Sequence, residues 1–216
     1  MEKDNLVRIL DELPEGVTLV AVSKTRPKED VDEAAKYGVT TFGENHVQEI
    51  EAKYDPRYSW HMIGHLQRNK VKNVVPLASM IESLDSMRLA KEINKECAKI
   101  DKVMPVLVEI NISREENKTG ILIEECEGFI KECEDLKNID VQGLMCVGPL
   151  LEKEKTADCF KEVKSLFDKL QGVYGKEKIK YLSMGMSGDY KIALENGSNM
   201  VRLGSVIFGK RDYSKK

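Results

Sequence analysis

No apolar stretch in the 216 residues approaches the roughly 20 needed to cross a bilayer. The opening Met1-Glu2-Lys3-Asp4-Asn5 lacks the basic-then-apolar order of a signal peptide, so a cytoplasmic location and no membrane partner are expected. Histidine is scarce: His46, His61 and His65 are the three. His61 and His65 are four apart, but Gly64 intervenes and no acidic residue has ligand spacing, so no metal site is expected. The five cysteines (Cys97, Cys126, Cys133, Cys146 and Cys159) form no C-x-x-C pair. Their odd number argues against a disulfide framework and for free thiols in a reducing compartment. A basic excess is missing too: 34 Lys and Arg face 37 Asp and Glu, a net charge of −3, so nucleic acid is not an expected partner. No Ser/Gly/Pro-rich linker divides the chain, which reads as one domain over residues 1–216.

What is present is an alternation. Hydrophobic content of 41% with 33% charged residues suits a globular protein with a buried core. Short apolar runs, Val17–Val22, Val39–Phe42, Trp60–Ile63, Met80–Leu84, Val103–Ile110, Val141–Cys146, Ile179–Leu182 and Met200–Leu203, read as strands. Charged segments with helical spacing separate them, at about Pro27–Tyr37, Glu44–Tyr54, Gln67–Val74, Ser86–Ile100, Leu122–Cys133, Lys155–Leu170 and Asp189–Glu195. A helix over Asn5–Leu13 precedes the first strand, and a short helix or turn begins in Val206–Phe208. Repeated βα units imply parallel strands with right-handed crossovers. Eight of them predict an α/β fold, a small (β/α)8 TIM barrel, whose usual size is about 250 residues with a floor near 200. The alternative is an open doubly wound sheet, but its G-x-G-x-x-G fingerprint after the first strand is absent.

In such a barrel the chemistry belongs at the strand C-termini, with phosphate often held after the seventh and eighth strands. Lys24 stands at the end of the first strand, in Ser23-Lys24-Thr25-Arg26-Pro27. Any one lysine of this chain is by default a solvated surface residue. At a partly desolvated barrel mouth, however, an amine loses its proton more easily and can attack a carbonyl to form a Schiff base. After the seventh strand comes Ser183-Met184-Gly185-Met186-Ser187-Gly188-Asp189, leading into a helix; after the eighth comes Arg202-Leu203-Gly204-Ser205. Small residues let backbone amides approach an anion, although a structural turn or cap is the default for each segment alone. Arg202 lies within an apolar strand, where it either pairs with a carboxylate such as Glu109 or faces a ligand near the barrel axis. Together these features suit a phosphorylated aromatic aldehyde, the shape of pyridoxal 5′-phosphate. A Schiff-base aldolase acting on a sugar phosphate shares the amine and the phosphate site.

Seven segments then carry a resemblance: Ala21-Val22-Ser23-Lys24-Thr25, Phe42-Gly43-Glu44-Asn45, Trp60–Lys70, Gly143-Leu144-Met145, Leu182–Ser187, Val201-Arg202-Leu203-Gly204 and Phe208–Tyr213. In these the chain resembles the pyridoxal phosphate homeostasis protein family, the single-domain relatives of the alanine racemase barrel, from Lys24 to its last residues. His65-Leu66 departs from the Pro-Leu of other members. The resemblance implies a barrel of the alanine racemase N-terminal-domain type. It also implies that Lys24 forms the internal aldimine, that Arg202 faces the pyridine nitrogen, that Ser187, Gly188, Gly204 and Ser205 cradle the phosphate, and that Asn45 lies near the ring.

The expected function is to hold, buffer or deliver pyridoxal 5′-phosphate inside the cell, with apo-enzymes as transient partners. The alternative is a weak amino-acid racemase. A racemase needs a second acid/base opposite Lys24, which in alanine racemases is a tyrosine from a separate β-domain. No such domain is expected to follow the barrel here, and none of Tyr37, Tyr54, Tyr58 or Tyr213 sits on an evident active-face loop. A monomer is expected for the same reason, since the racemase dimer leans on that domain.

Overall fold

Each apolar run becomes a parallel strand, and the eight strands close on themselves in sequence order, the first pairing with the last. This arrangement is seen in a computed structural model that describes residues 1–115, 118–149 and 152–209. The strands are β1 (Thr18–Val22), β2 (Thr41–Glu44), β3 (Ser59–Met62), β4 (Met80–Leu84), β5 (Met104–Ile110), β6 (Ile139–Cys146), β7 (Tyr181–Ser183) and β8 (Met200–Leu203). The helices are α1 (Lys3–Glu12), α2 (Lys28–Ala35), α3 (Val47–Lys53), α4 (Val71–Val74), α5 (Met87–Ala98), α6 (Cys126–Cys133), α7 (Lys153–Tyr174), α8 (Tyr190–Glu195) and α9 (Ser205–Phe208). The chain is thus the (β/α)8 barrel that the alternation predicts, and the open-sheet alternative is set aside. Among the described residues, no helix is long and apolar enough to cross a membrane.

Most boundaries fall where the periodicity puts them. The Ser86 side chain caps α5 by accepting from Leu89 N. Among the strands the largest departure is β2, expected over Val39–Phe42 and found over Thr41–Glu44; among the helices α7, expected over Lys155–Leu170, runs from Lys153 to Tyr174. Pairing decides the strand: Phe42 and Gly43 align with Ala21 and Val22 of β1, and Thr41–Glu44 with Ser59–Met62 of β3. The apolar signal stops at Phe42 because the last residue of the strand, Glu44, is a fully buried carboxylate.

Strand alternation sorts the side chains into two cores. Outward residues such as Phe42, Trp60, Ile81, Val201 and Leu203 pack under the helices. Inward residues Val20, Met80, Leu107, Met145 and Met200 form an apolar plug in the lumen. Two residues further along their strands, Glu82 follows Met80 and Arg202 follows Met200, and both are buried. The barrel interior therefore changes from apolar to ionic as it approaches the C-terminal mouth.

Candidate functional site

Beyond Val22 the backbone keeps one more ladder bond, Ser23 N to Gly43 O, and then turns. Arg26 N donates to Ser23 O and closes a turn over Lys24 and Thr25, with Thr25 at φ +65°. Lys24 is left half-buried at the mouth, its Nζ 3.3 Å from Asn45 Oδ1 on the loop after β2. Across the mouth the loops after β7 and β8 are joined by one hydroxyl: Ser187 Oγ accepts from Gly204 N at 3.2 Å and Val206 N at 3.4 Å. Ser187 therefore ties the two small-residue loops together instead of capping α8. Its own loop is closed by Met186 N donating to Asp189 Oδ1 at 2.6 Å.

These elements enclose a cavity of about 270 Å³, near the roughly 300 Å³ at the small end of ligand clefts. All seven residues singled out from the sequence line it: Lys24, Asn45, Ser187, Gly188, Arg202, Gly204 and Ser205. The rest of the lining carries no signal of its own in the sequence. Val22, Ile63, Val147, Met186 and Phe208 supply apolar walls, and Arg26 adds a third cation, one of its nitrogens donating to Gly209 O at 2.7 Å. Among the described lining residues the titratable groups are Lys24, Arg26 and Arg202. Lys118 stays outside, exposed and paired with Glu115. With Asn111 and Ser113 it lines a neighbouring cleft that shares Val147. Of the matched tail segment, Lys210 to Tyr213 lie outside the described residues, as does Asn117.

Arg202 is 3% exposed. It donates to Ser183 O at 2.8 Å, Ser183 Oγ at 2.7 Å and Cys146 O at 2.8 Å. Its carboxylate partner is Glu82, at 3.9 Å, rather than the Glu109 that the sequence suggested. Ser183 Oγ passes the chain on to Glu82 Oε2 at 2.6 Å, and His61 Nδ1 lies 2.7 Å from Glu82 Oε1. Burial alone would raise the Glu82 carboxyl; His61, Arg202 and Ser183 outweigh it and hold it below its ordinary range. Besides Arg202 itself, one clue marks this network in the sequence: a carboxylate inside the apolar run Met80-Ile81-Glu82-Ser83-Leu84. Among the described residues no cluster of three His, Cys, Asp or Glu could hold a metal. His61 points to Glu82 in the lumen, whereas exposed His65 contacts Asp85. Burial raises all five thiols, those of Cys126, Cys133 and Cys146 to about 12, so they stay protonated and poorly nucleophilic.

Under the Lys24 turn lies a second ionic cluster. Glu44 Oε1 accepts from Ser23 Oγ at 2.6 Å and Lys53 Nζ at 2.7 Å, while its Oε2 is buried without a hydrogen-bond partner. Burial pushes the Glu44 carboxyl up to about 7, against the pull of Lys53 and Ser23. Because the folded pKa is raised, this residue's stabilising contribution is complete below about 4.5 and is lost as pH rises through about 7. The unfolding free energy measured from pH 5 to 8 should fall for the wild type by at most about 1.4 kcal/mol per pH unit from this group and level off above about 7. Glu44→Gln should flatten that part of the profile, and an unchanged profile would refute the assignment.

The alanine racemase N-terminal domain family matches residues 3–212. A pyridoxal phosphate homeostasis protein of Aquifex aeolicus is 40% identical over 200 residues, covering 90% of this chain and 87% of its own. The chain belongs to the pyridoxal phosphate homeostasis protein family. The chain is also similar to PipY of Synechococcus elongatus PCC7942, which has been solved without and with PLP bound. The two structures have TM-scores of 0.91 and 0.88 to this chain at 30% and 29% identity, and both comparisons cover 97% of this chain and all of PipY. An alanine racemase of Clostridium difficile 630 shares the fold at 20% identity and a TM-score of 0.78; this chain spans 55% of it. The homeostasis family thus matches nearly end to end, whereas the racemase continues well beyond the barrel.

Proposed function

We propose that this chain binds pyridoxal 5′-phosphate in the mouth cavity and holds it for release, in the cytoplasm and as a monomer, without turning over a substrate. One observation carries the reading: the cavity presents an amine and two guanidinium groups, and among its described lining residues there is no carboxyl, histidine, cysteine or tyrosine. Such a lining attracts an anionic aldehyde and offers no second acid/base opposite Lys24. The walls suit this occupant. Gly188 has open space where a Cβ would stand, so a phosphate can approach the backbone of that loop.

Pyridoxal phosphate supplies an aldehyde that links reversibly to a primary amine, and an electron-withdrawing ring. In this reading Lys24 is the anchoring amine and Asn45 holds it toward the ring. Ser187, Gly188, Gly204 and Ser205 receive the phosphate. Arg202 faces the ring nitrogen; a guanidinium keeps its proton, so that nitrogen stays unprotonated. The result is a weaker electron sink, suited to holding the cofactor rather than to transamination. Likeness to PipY with PLP bound, and to the named relatives, supports the same reading.

Mixing the protein with pyridoxal phosphate should give a yellow species that borohydride fixes on Lys24. Lys24→Ala should lose both the visible band and the fixed mass; retention of either would overturn the anchor. Apo-enzymes of pyridoxal phosphate chemistry are the proposed recipients. Cofactor should pass from the loaded protein to such an apo-enzyme faster than from an equal concentration free in solution. Steady racemisation of an amino acid at ordinary enzyme rates would instead favour the racemase reading.

A further inference from the structure

Lys53, at the end of α3, is 5% exposed and lies outside the cavity lining. Its ammonium makes three bonds: 2.8 Å to Ser23 O, 2.7 Å to Glu44 Oε1 and 2.9 Å to Glu49 Oε2. Glu49 Oε2 also accepts from Thr25 N at 2.6 Å. The residues immediately before and after Lys24 are therefore gripped by one ion pair. The same pair reaches Glu44, the neighbour of Asn45, whose side chain touches Lys24.

A grip of this kind has a reason in the backbone. Thr25 takes φ +65° at the third position of the turn, where glycine or asparagine is usual. For a β-branched residue this costs on the order of 1–3 kcal/mol and persists only when its surroundings over-determine it. Packing alone would be served as well by Leu or Met at position 53, because a buried charge brings a desolvation penalty that an apolar side chain avoids.

We propose that Lys53 and Glu49 are positioning residues that lock the Ser23–Arg26 turn and so aim Lys24 into the cavity. This rests on the reading of Lys24 as the cofactor anchor. The affinities of two ligands separate the roles. Pyridoxal phosphate needs the Lys24 amine; pyridoxine 5′-phosphate, which lacks the aldehyde, needs only the cavity. In Lys53→Met and Glu49→Leu the apparent affinity for pyridoxal phosphate should fall about tenfold or more. The borohydride-fixed fraction should fall with it, while affinity for pyridoxine phosphate stays as in wild type. Glu49→Gln keeps an oxygen for Thr25 N and should recover most of the loss. Equal losses for both ligands, or no loss for either, would overturn the proposal. If Lys53→Met does not fold, the Glu49 pair decides alone, since that side chain is 22% exposed. A wild type that binds both ligands alike and leaves no fixed adduct would refute the anchor reading instead.

Discussion

Replacing Glu82 by leucine is expected to cost about 3–5 kcal/mol of folding stability, the range for stranding one member of a buried ion pair. Three groups lose their partner together. Arg202 keeps a charge it cannot shed, Ser183 Oγ loses its acceptor, and His61 Nδ1 loses the carboxylate 2.7 Å away. For a domain of 216 residues a loss of 1 kcal/mol lowers the melting temperature by about 2–4 °C, so a drop of about 10 °C is expected. The double variant Glu82→Leu with Arg202→Leu should melt above Glu82→Leu alone, because removing the orphaned charge relieves most of the penalty. If Glu82→Leu melts within about 2 °C of wild type, the backbone carbonyls of Ser183 and Cys146 suffice for Arg202 and the carboxylate is dispensable.

Why this network is faint in the sequence, when the barrel is plain, follows from what each signal depends on. The barrel is written in local periodicity: runs such as Val103–Ile110 and Leu122–Cys133 announce strand and helix without reference to any distant residue. Lys24, the two small-residue loops and Arg202 are legible because each stands just past or inside such a run, where the fold puts the mouth. Glu82 and Ser183 are 101 residues apart, and only barrel closure makes them neighbours. Glu49 and Lys53 mislead in the other direction. An acid and a base four apart on a helix read as a solvated surface pair, yet here they reach back to the backbone on either side of Lys24. The apolar walls Val22, Ile63 and Met186 carry no signal either, because a residue type that suits a core suits a cavity lining equally well.

Gly143→Ala should be about as damaging, for a reason that no side-chain adjustment relieves. A Cβ at position 143 would stand 1.9 Å from Tyr181 O, 2.8 Å from Tyr181 C and 3.0 Å from Tyr181 N, all backbone atoms of β7. Its φ of +155° lies at the edge of the region that side chains avoid, and the β5–β6 register shifts between Val106 and Leu107 at this point. Strand β6 must therefore part from β7, which has three residues and ends at Ser183, the partner of Arg202. A loss of at least about 3 kcal/mol is expected, the upper end of the cost of forcing atoms into a packed site. Whatever folds should bind the cofactor less tightly, since Ser183 leads directly into the Ser187 loop. Gly172→Ala is the control. Gly172 lies in α7 with nothing within 4 Å of a built Cβ, so alanine there should stabilise by about 0.5–1 kcal/mol through helix propensity. Urea melts of the two variants should move in opposite directions from wild type. If Gly143→Ala instead matched Gly172→Ala, the close approach of β6 to β7 would not be what requires a glycine.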